Sequence, residues 1–269
     1  MTLSNLCDAN DESVFGGKAK NLSLSLQAGL RVPDGLALSH LFVAELISDN
    51  ESAWKSLKNA FSKKFGGSVA VRSSAIGEDG HNSSFAGQHL SILNINSYDK
   101  LIESIREVSD SVNSDAAKGY RNKIGISDSS VEMAIVIQSL VSADSSGVIF
   151  TKNPTSKARE YVIESSWGLG EIVVSGQVIP DYFRIDLDGR ILEKRVGVKD
   201  IILKLNENGV EEQEVTGSRV SELSLSNAQL TELYTLSQNC QTLFGPDLDI
   251  EWCISENKVY LLQCRPITT

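Results

Sequence analysis

From residue 133 to its end, the sequence is a succession of strand-length apolar runs broken by turns rich in glycine, serine or asparagine. Residues 133–138 (MAIVIQ) and 147–151 (GVIFT) flank the turn 142–146, and the two are expected to form a hairpin. Residues 161–165 (YVIES) are a further run, followed by Gly168-Leu169-Gly170-Glu171. Residues 181–186 alternate polar and apolar and end at Asp188-Gly189. Residues 248–254 and 258–266 are two more, joined by Ser255-Glu256-Asn257. Only residues 226–244 read as a helix in this half, with Ser226 as N-cap ahead of Gln229. Short runs at period two cannot bury a face alone, so this half is expected to close into an antiparallel sheet.

The earlier residues follow a different period. Gly16-Gly17-Lys18 precede Ala19, Leu22, Leu26 and Ala28 at helical spacing. Gly29 sits where a helix ends, and Val32-Pro33 forces an extended exit. A second helical pattern runs over 41–65 to Gly66-Gly67. Residues 69–72 and 90–95 read as strands around a polar, glycine-containing stretch at 73–87, and 98–122 read as helix. The sequence thus predicts an α+β protein of two lobes. Residues 1–125 form a helix-rich lobe carrying the candidate phosphate loops, and 126–269 form an antiparallel-sheet lobe. Ligand is expected in the cleft between such lobes.

Charge narrows the ligand. The chain has 35 acidic and 25 basic residues, a net charge of −10, and no dense basic stripe. Nucleic acid is therefore not an expected partner. A phosphate-bearing ligand has to be held by a few well-placed cations. The four cysteines, Cys7, Cys240, Cys253 and Cys264, form no C-x-x-C pair. His40, His81 and His89 lack metal-ligand spacing, so no zinc site is expected. No basic region followed by an apolar run opens the chain, and no stretch is long enough to span a bilayer. The expectation is a reduced, cytoplasmic protein without membrane attachment.

Two regions carry candidate chemistry. Asp249 and Glu251 on one C-terminal strand, and Gln263 and Arg265 on the next, each stand two residues apart. In-register pairing would put all four on one face. Carboxylate and amide oxygens suit Mg²⁺, and an arginine beside them suits a terminal phosphate. The same spacing also fits a plain solvated face. The stretch Arg72-Ser73-Ser74-Ala75 through Gly87-Gln88 has the small residues that let backbone N–H groups approach phosphate, yet it is neither a Walker A nor a G-x-G-x-x-G sequence. Read alone, a polar loop explains it equally well.

Taken together, GGKAKNL (16–22), VRSSAIGED (71–79), SFAGQ (84–88), SADSSGVIFTKNP (142–154), WGLGEIVVSGQVIPD (167–181), DIEW (249–252) and LLQCRPIT (261–268) resemble the N-terminal nucleotide-binding domain of the phosphoenolpyruvate synthase, pyruvate phosphate dikinase and rifampin phosphotransferase family. The blocks occur in the family's order over nearly the whole chain. The resemblance implies an ATP-grasp fold with ATP and Mg²⁺ between two lobes. It implies that Lys18 and Arg72 contact the nucleotide phosphates, that Gly87 and Ser91 line the phosphate loop, and that Gln138 lies on the adenine side. It further implies that Glu251 and Gln263 hold Mg²⁺ and that Arg265 neutralises the transferred phosphoryl group, with Asp249 and Glu164 in supporting places. Phosphoryl transfer needs mainly positioning and positive charge, which this set supplies.

The sequence also departs from the family. It has no glycine-rich segment ending in the histidine of a swivelling domain, and no substrate domain. The stretch from Lys18 to Arg72 is short, and His81 sits in an altered loop. The expected function is an ATP- and Mg²⁺-dependent phosphotransferase that moves a phosphoryl or pyrophosphoryl group from ATP to an acceptor, a histidine on a separate carrier protein being one candidate. The alternative is a self-contained kinase or ligase acting on a small molecule. A non-catalytic nucleotide-binding module is the third reading.

Overall fold

The computed structural model describes residues 2–77, 90–115, 118–119, 132–206 and 209–267. It is α+β and divides into two compact units. One comprises Met1–Gln27 and Pro33–Leu140, and the other Ala28–Val32 and Val141–Ile267.

Among the described residues, the first unit is built on a five-stranded sheet in the order β1-β2-β5-β3-β4. The strands are β1 (Leu3–Asn5), β2 (Gly35–Leu38), β3 (Val69–Ala75), β4 (Ser91–Ile95) and β5 (Met133–Ser139). The helices are α1 (Glu12–Gln27), α2 (His40–Ile47), α3 (Glu51–Lys64) and α4 (Tyr98–Asp110). Alternation decides the faces. Val69, Val71, Ile135 and Ile137 point into an apolar core with Phe42 and Leu46 of α2, Leu57 and Phe61 of α3, and Leu101 and Ile105 of α4. Ser74, of the opposite parity on β3, points to α1, where its hydroxyl donates to the Phe15 carbonyl at 2.7 Å and accepts from the Ala19 N–H at 3.1 Å.

That serine caps the start of the regular part of α1 from a neighbouring strand, satisfying a donor the helix itself leaves unpaired. The contact requires glycine at position 16. Gly16 has φ +78° and interrupts the helical geometry, and a Cβ there would lie 2.0 Å from the Ser74 carbonyl oxygen. The helical pattern over 41–65 is two helices, not one. Asp49 turns left-handed at φ 61°, and the Asn50 side chain caps α3 by accepting from the Ser52 and Ala53 N–H groups.

The second unit holds a six-stranded antiparallel sheet in the order β13-β12-β6-β7-β8-β9. Its strands are β6 (Ser145–Phe150), β7 (Tyr161–Trp167), β8 (Asp181–Ile185), β9 (Ile191–Arg195), β12 (Leu248–Ser255) and β13 (Lys258–Pro266). A separate hairpin of β10 (Ile201–Asn206) and β11 (Gly209–Glu214) packs Leu203 against Leu169, Ile172 and Val173, the last two from the short helix α5 (Glu171–Val174). Helix α6 (Asn227–Phe244) packs on β12 and β13. Its N-terminus is the expected Ser226–Gln229 capping box, each side chain bonding the other's backbone N–H. On β7, Tyr161 meets Tyr234 of α6 edge to face and donates to Gln241 at 2.7 Å, so Tyr161 and Ile163 mark the face that α6 covers.

A fully buried ion pair ties β8 to the segment before β10. Asp181 accepts from the Lys199 ammonium at 2.5 Å and the Gly197 N–H at 2.8 Å. Its other oxygen accepts from the Ser224 N–H and hydroxyl. With all these donors in place, the carboxylate's desolvation is offset by hydrogen bonds as well as by the opposite charge.

Two sequence expectations are corrected. Residues 133–138 and 147–151 do not form a hairpin. β5 pairs with β2 and β3 of the first unit, whereas β6 pairs with β7 and β12 of the second. For the same reason the units part after Leu140 rather than at 125/126, because β5 is an interior strand of the first sheet. The end of the expected helix 98–122 lies outside the described residues.

Candidate functional site

The candidate residues fall into two groups, one in each unit. In the first unit, Arg72 on β3 stands directly opposite Ser91 on β4. A register shift in β4 next to Asn94, whose φ is 58°, brings this pair into line. Gln138 on β5 pairs with Ala70, two residues before Arg72, so Arg72, Ser91 and Gln138 share the α1 face of the sheet. Gln138 is buried and donates to the Pro33 carbonyl at 3.2 Å. Lys18 is buried as well, and its ammonium donates to the Ser73 carbonyl at 2.8 Å. The helix start that carries Lys18 and the strand that carries Arg72 are therefore locked together by Gly16, Ser74 and Lys18 itself. This is a physical reason for GGKAKNL and VRSS to occur as a matched pair. Gly87 and His81 lie outside the described residues.

In the second unit the expected register holds. Glu251 faces Gln263 and Asp249 faces Arg265 across β12 and β13. Facing residues of an antiparallel pair project to the same side, so the four polar groups do share one face. That face is opposite to α6, because Ile250, Ile149 and Ile163 occupy the other parity. The turn at Glu256-Asn257 places both residues at positive φ, 50° and 58°, the twist a two-residue hairpin loop requires.

Within the quartet the roles divide. Arg265 donates through Nε and Nη2 to the same Asp249 oxygen, at 2.9 and 2.6 Å, with both side chains largely buried. Asp249 thus acts on Arg265 and aims it. Glu251 and the buried Gln263 are facing oxygen donors about 5 Å apart at the backbone. A carboxylate and an amide oxygen fit Mg²⁺, a hard ion usually held by one or two carboxylates with ligand phosphates completing the shell. Among the described residues no group of three His, Cys, Asp or Glu side chains is arranged to hold a metal by itself.

The row that contains Glu251 and Gln263 continues across the whole sheet. Glu251 faces Val148, Val148 faces Glu164, Glu164 faces Tyr182, and Tyr182 faces Arg195. Glu164 is therefore on the same face as Glu251, about 10 Å away at two strand spacings. That separation is too great for the two to grip one ion directly. Burial pushes the Glu164 carboxyl above the ordinary carboxylate range, with Arg195 opposing the shift. The next row holds Arg265, Asp249, Phe150, Val162, Arg184 and Glu193. There Glu160, held below its ordinary range by hydrogen bonds from Arg184 and Asn153, grips Arg184.

Sequence reasoning did not find Tyr182 or Arg195. The alternation of 181–186 puts Tyr182 on a definite face, but which face it shares with Glu251 follows only from the order of the sheet. Lys199 was also missed, because no spacing links it to Asp181.

With two antiparallel-sheet units and this quartet described, the chain has the architecture of an α+β domain whose polar sheet face carries oxygen donors beside a fixed arginine. It belongs to the family described as pyruvate phosphate dikinase, AMP/ATP-binding domain, whose model matches residues 42–269. The chain is 34% identical over 276 residues to an uncharacterized phosphotransferase, YvkC, of Bacillus subtilis, covering 94% of this chain and 33% of that protein. It is 30% identical to a probable phosphoenolpyruvate synthase of Archaeoglobus fulgidus, over 97% of this chain and 41% of that one. It is 37% identical to rifampicin phosphotransferase of Bacillus subtilis, over 74% of this chain and 23% of that one. The chain thus spans less than half the length of these relatives. A D-alanine–D-alanine ligase from Bacillus anthracis overlaps it with a TM-score of 0.43 at 9% identity, over 93% of this chain and 55% of that one, too low to argue from. No helix among the described residues is long and apolar enough to cross a membrane.

Proposed function

We propose that this chain is the ATP-binding part of an ATP- and Mg²⁺-dependent phosphotransferase of ATP-grasp type. One observation carries the reading: in a member of an AMP/ATP-binding domain family, Asp249, Glu251, Gln263 and Arg265 are in register on a single sheet face, with Arg265 already aimed by Asp249. Glu251 and Gln263 are assigned to Mg²⁺, which when bound supplies positive charge to the phosphate oxygens. Arg265 is assigned to the transferred phosphoryl group, where a fixed guanidinium stabilises charge that develops during transfer. In the first unit, Lys18 and Arg72 are assigned to the phosphates, Gly87 and Ser91 to the phosphate loop, and Gln138 to the base side. Lys18 serves either by exchanging its Ser73 carbonyl for phosphate or by holding the loop that does so.

The acceptor is proposed to be a histidine on a separate phosphocarrier protein or domain, consistent with relatives more than twice as long. The alternative is a self-contained kinase or ligase acting directly on a small molecule; the rifampicin phosphotransferase relative is named for a small-molecule acceptor. Phosphorus NMR of the protein with ATP and Mg²⁺ separates the two. AMP and inorganic phosphate appearing only with a histidine-bearing partner support the relay, and a phosphorylated metabolite without partner supports direct transfer. Glu251→Gln and Arg265→Ala are each expected to lower turnover by roughly a hundredfold or more with circular dichroism unchanged. Wild-type turnover in both variants would remove the assignment.

A further inference from the structure

The polar sheet face of the second unit carries three arginines whose surroundings differ. Arg265 is engaged by Asp249, and Arg184 by Glu160 and Glu193. Arg195 has no ion pair among the described residues. It is exposed, and its guanidinium lies 4.7 Å from the centre of the Tyr182 ring. A guanidinium held over an aromatic face keeps N–H groups with which to receive an oxyanion. An exposed arginine on an edge strand is often only a solvated cation. Here its position is specific, because Tyr182 and Arg195 end the same cross-strand row that begins with Gln263 and Glu251 and passes through Glu164.

We propose that Arg195, held by Tyr182, is a subsite for an anionic group, carboxylate or phosphate, on the phosphoryl acceptor. This rests on the function proposed above. The guanidinium lies over β8, about three strand spacings or roughly 14 Å from Glu251 along the row. The subsite therefore takes a part of the acceptor remote from the reacting atom, and contributes to acceptor affinity rather than to the chemical step.

The test uses the full chain labelled with ¹⁵N-arginine, titrated separately with inorganic phosphate and with succinate, before and after saturation with ATP and Mg²⁺. The Arg195 Nε–H signal, identified by its loss in Arg195→Lys, is expected to move saturably with at least one of the anions. A response to phosphate alone points to a phosphorylated acceptor, and one to succinate alone to a carboxylate. Tyr182→Ala, which removes the stack, is expected to weaken that response roughly tenfold, whereas Tyr182→Phe keeps it. The ATP dissociation constant of Arg195→Ala is expected to match wild type. An Arg195 signal blind to both anions overturns the proposal, as does a tenfold loss of ATP affinity in Arg195→Ala. Failure of wild type to bind ATP, with Arg195 still responding to anion, instead removes the nucleotide reading and leaves the anion site standing.

Discussion

Glu164 shows how one residue's place in a sheet sets its chemistry. It stands on a polar face, yet Val148 and Val162 on that face are buried, and among the described residues the carboxyl loses water without gaining a hydrogen bond. Its ionisation is therefore harder in the folded chain than in the unfolded one. A carboxyl raised in this way favours the fold below its unfolded pKa, and that contribution is lost as pH rises through the folded value. Glu164→Gln removes the ionisation. The variant is expected to melt higher than wild type at pH 7, with the difference closing by pH 4, as followed by scanning calorimetry. Glu160 has the opposite sign, because Arg184 and Asn153 stabilise its charged form, and its contribution is lost as pH falls below the ordinary glutamate range. The spacing of Asp249, Glu251, Gln263 and Arg265 made their shared face legible, since period two is all that a face requires. That Asp249 is committed to Arg265 was not legible, because it depends on a side-chain rotamer. Tyr182 and Arg195 needed the full strand order.

At the scale of elements, the β12–β13 hairpin carries the polar quartet, and only one of its two turn residues, Asn257, is of a kind such turns prefer. Glu256 and Asn257 are both left-handed. A glutamate in that conformation costs about 1 kcal/mol relative to glycine or asparagine, since its Cβ crowds the backbone. Replacing the pair with Asn-Gly is expected to stabilise the chain by about 1 kcal/mol, raising the urea midpoint without changing the slope. Activity should be unaltered, as the turn lies at the opposite end of the hairpin from Asp249 and Arg265. A lower midpoint would show that Glu256 is held there by something other than the turn. Elements with local punctuation were legible: the Ser226 capping box and the hairpin turn are both written in adjacent residues. Elements defined by distant partners were not. The strands of residues 133–139 and 145–150 are apolar neighbours along the chain, and nothing local says that they belong to different sheets.

At the scale of the molecule, the chain does not hand one unit over to the other in a single step. Residues Ala28–Val32, between α1 and β2, belong to the second unit although both flanking elements belong to the first. The attachment is specific. The Arg31 carbonyl accepts from the Leu261 N–H at 2.8 Å, its guanidinium donates to the Val259 carbonyl at 3.3 Å, and the same group lies 5.6 Å from the centre of the Tyr260 ring. Arg31 thus covers the outer edge of β13, where an unpaired strand would otherwise expose its backbone groups. Composition gave no sign of this, because the segment reads simply as the exit from a helix. Arg31→Ala keeps the backbone bond and removes the side-chain contacts, a loss of about 1 kcal/mol. Its effect is expected to be local: hydrogen exchange should quicken at Val259, Leu261 and Gln263 while β3 and β5 of the first sheet keep their protection. Equal loss of protection in both sheets would mean that the segment stabilises the chain as a whole and not the edge of β13. Protection confined to wild-type levels everywhere would mean that the Leu261 bond alone secures the edge. Because Gln263 lies two residues beyond Leu261 on that same edge strand, loosening of β13 should also lower Mg²⁺-dependent turnover in Arg31→Ala without changing the pH profile.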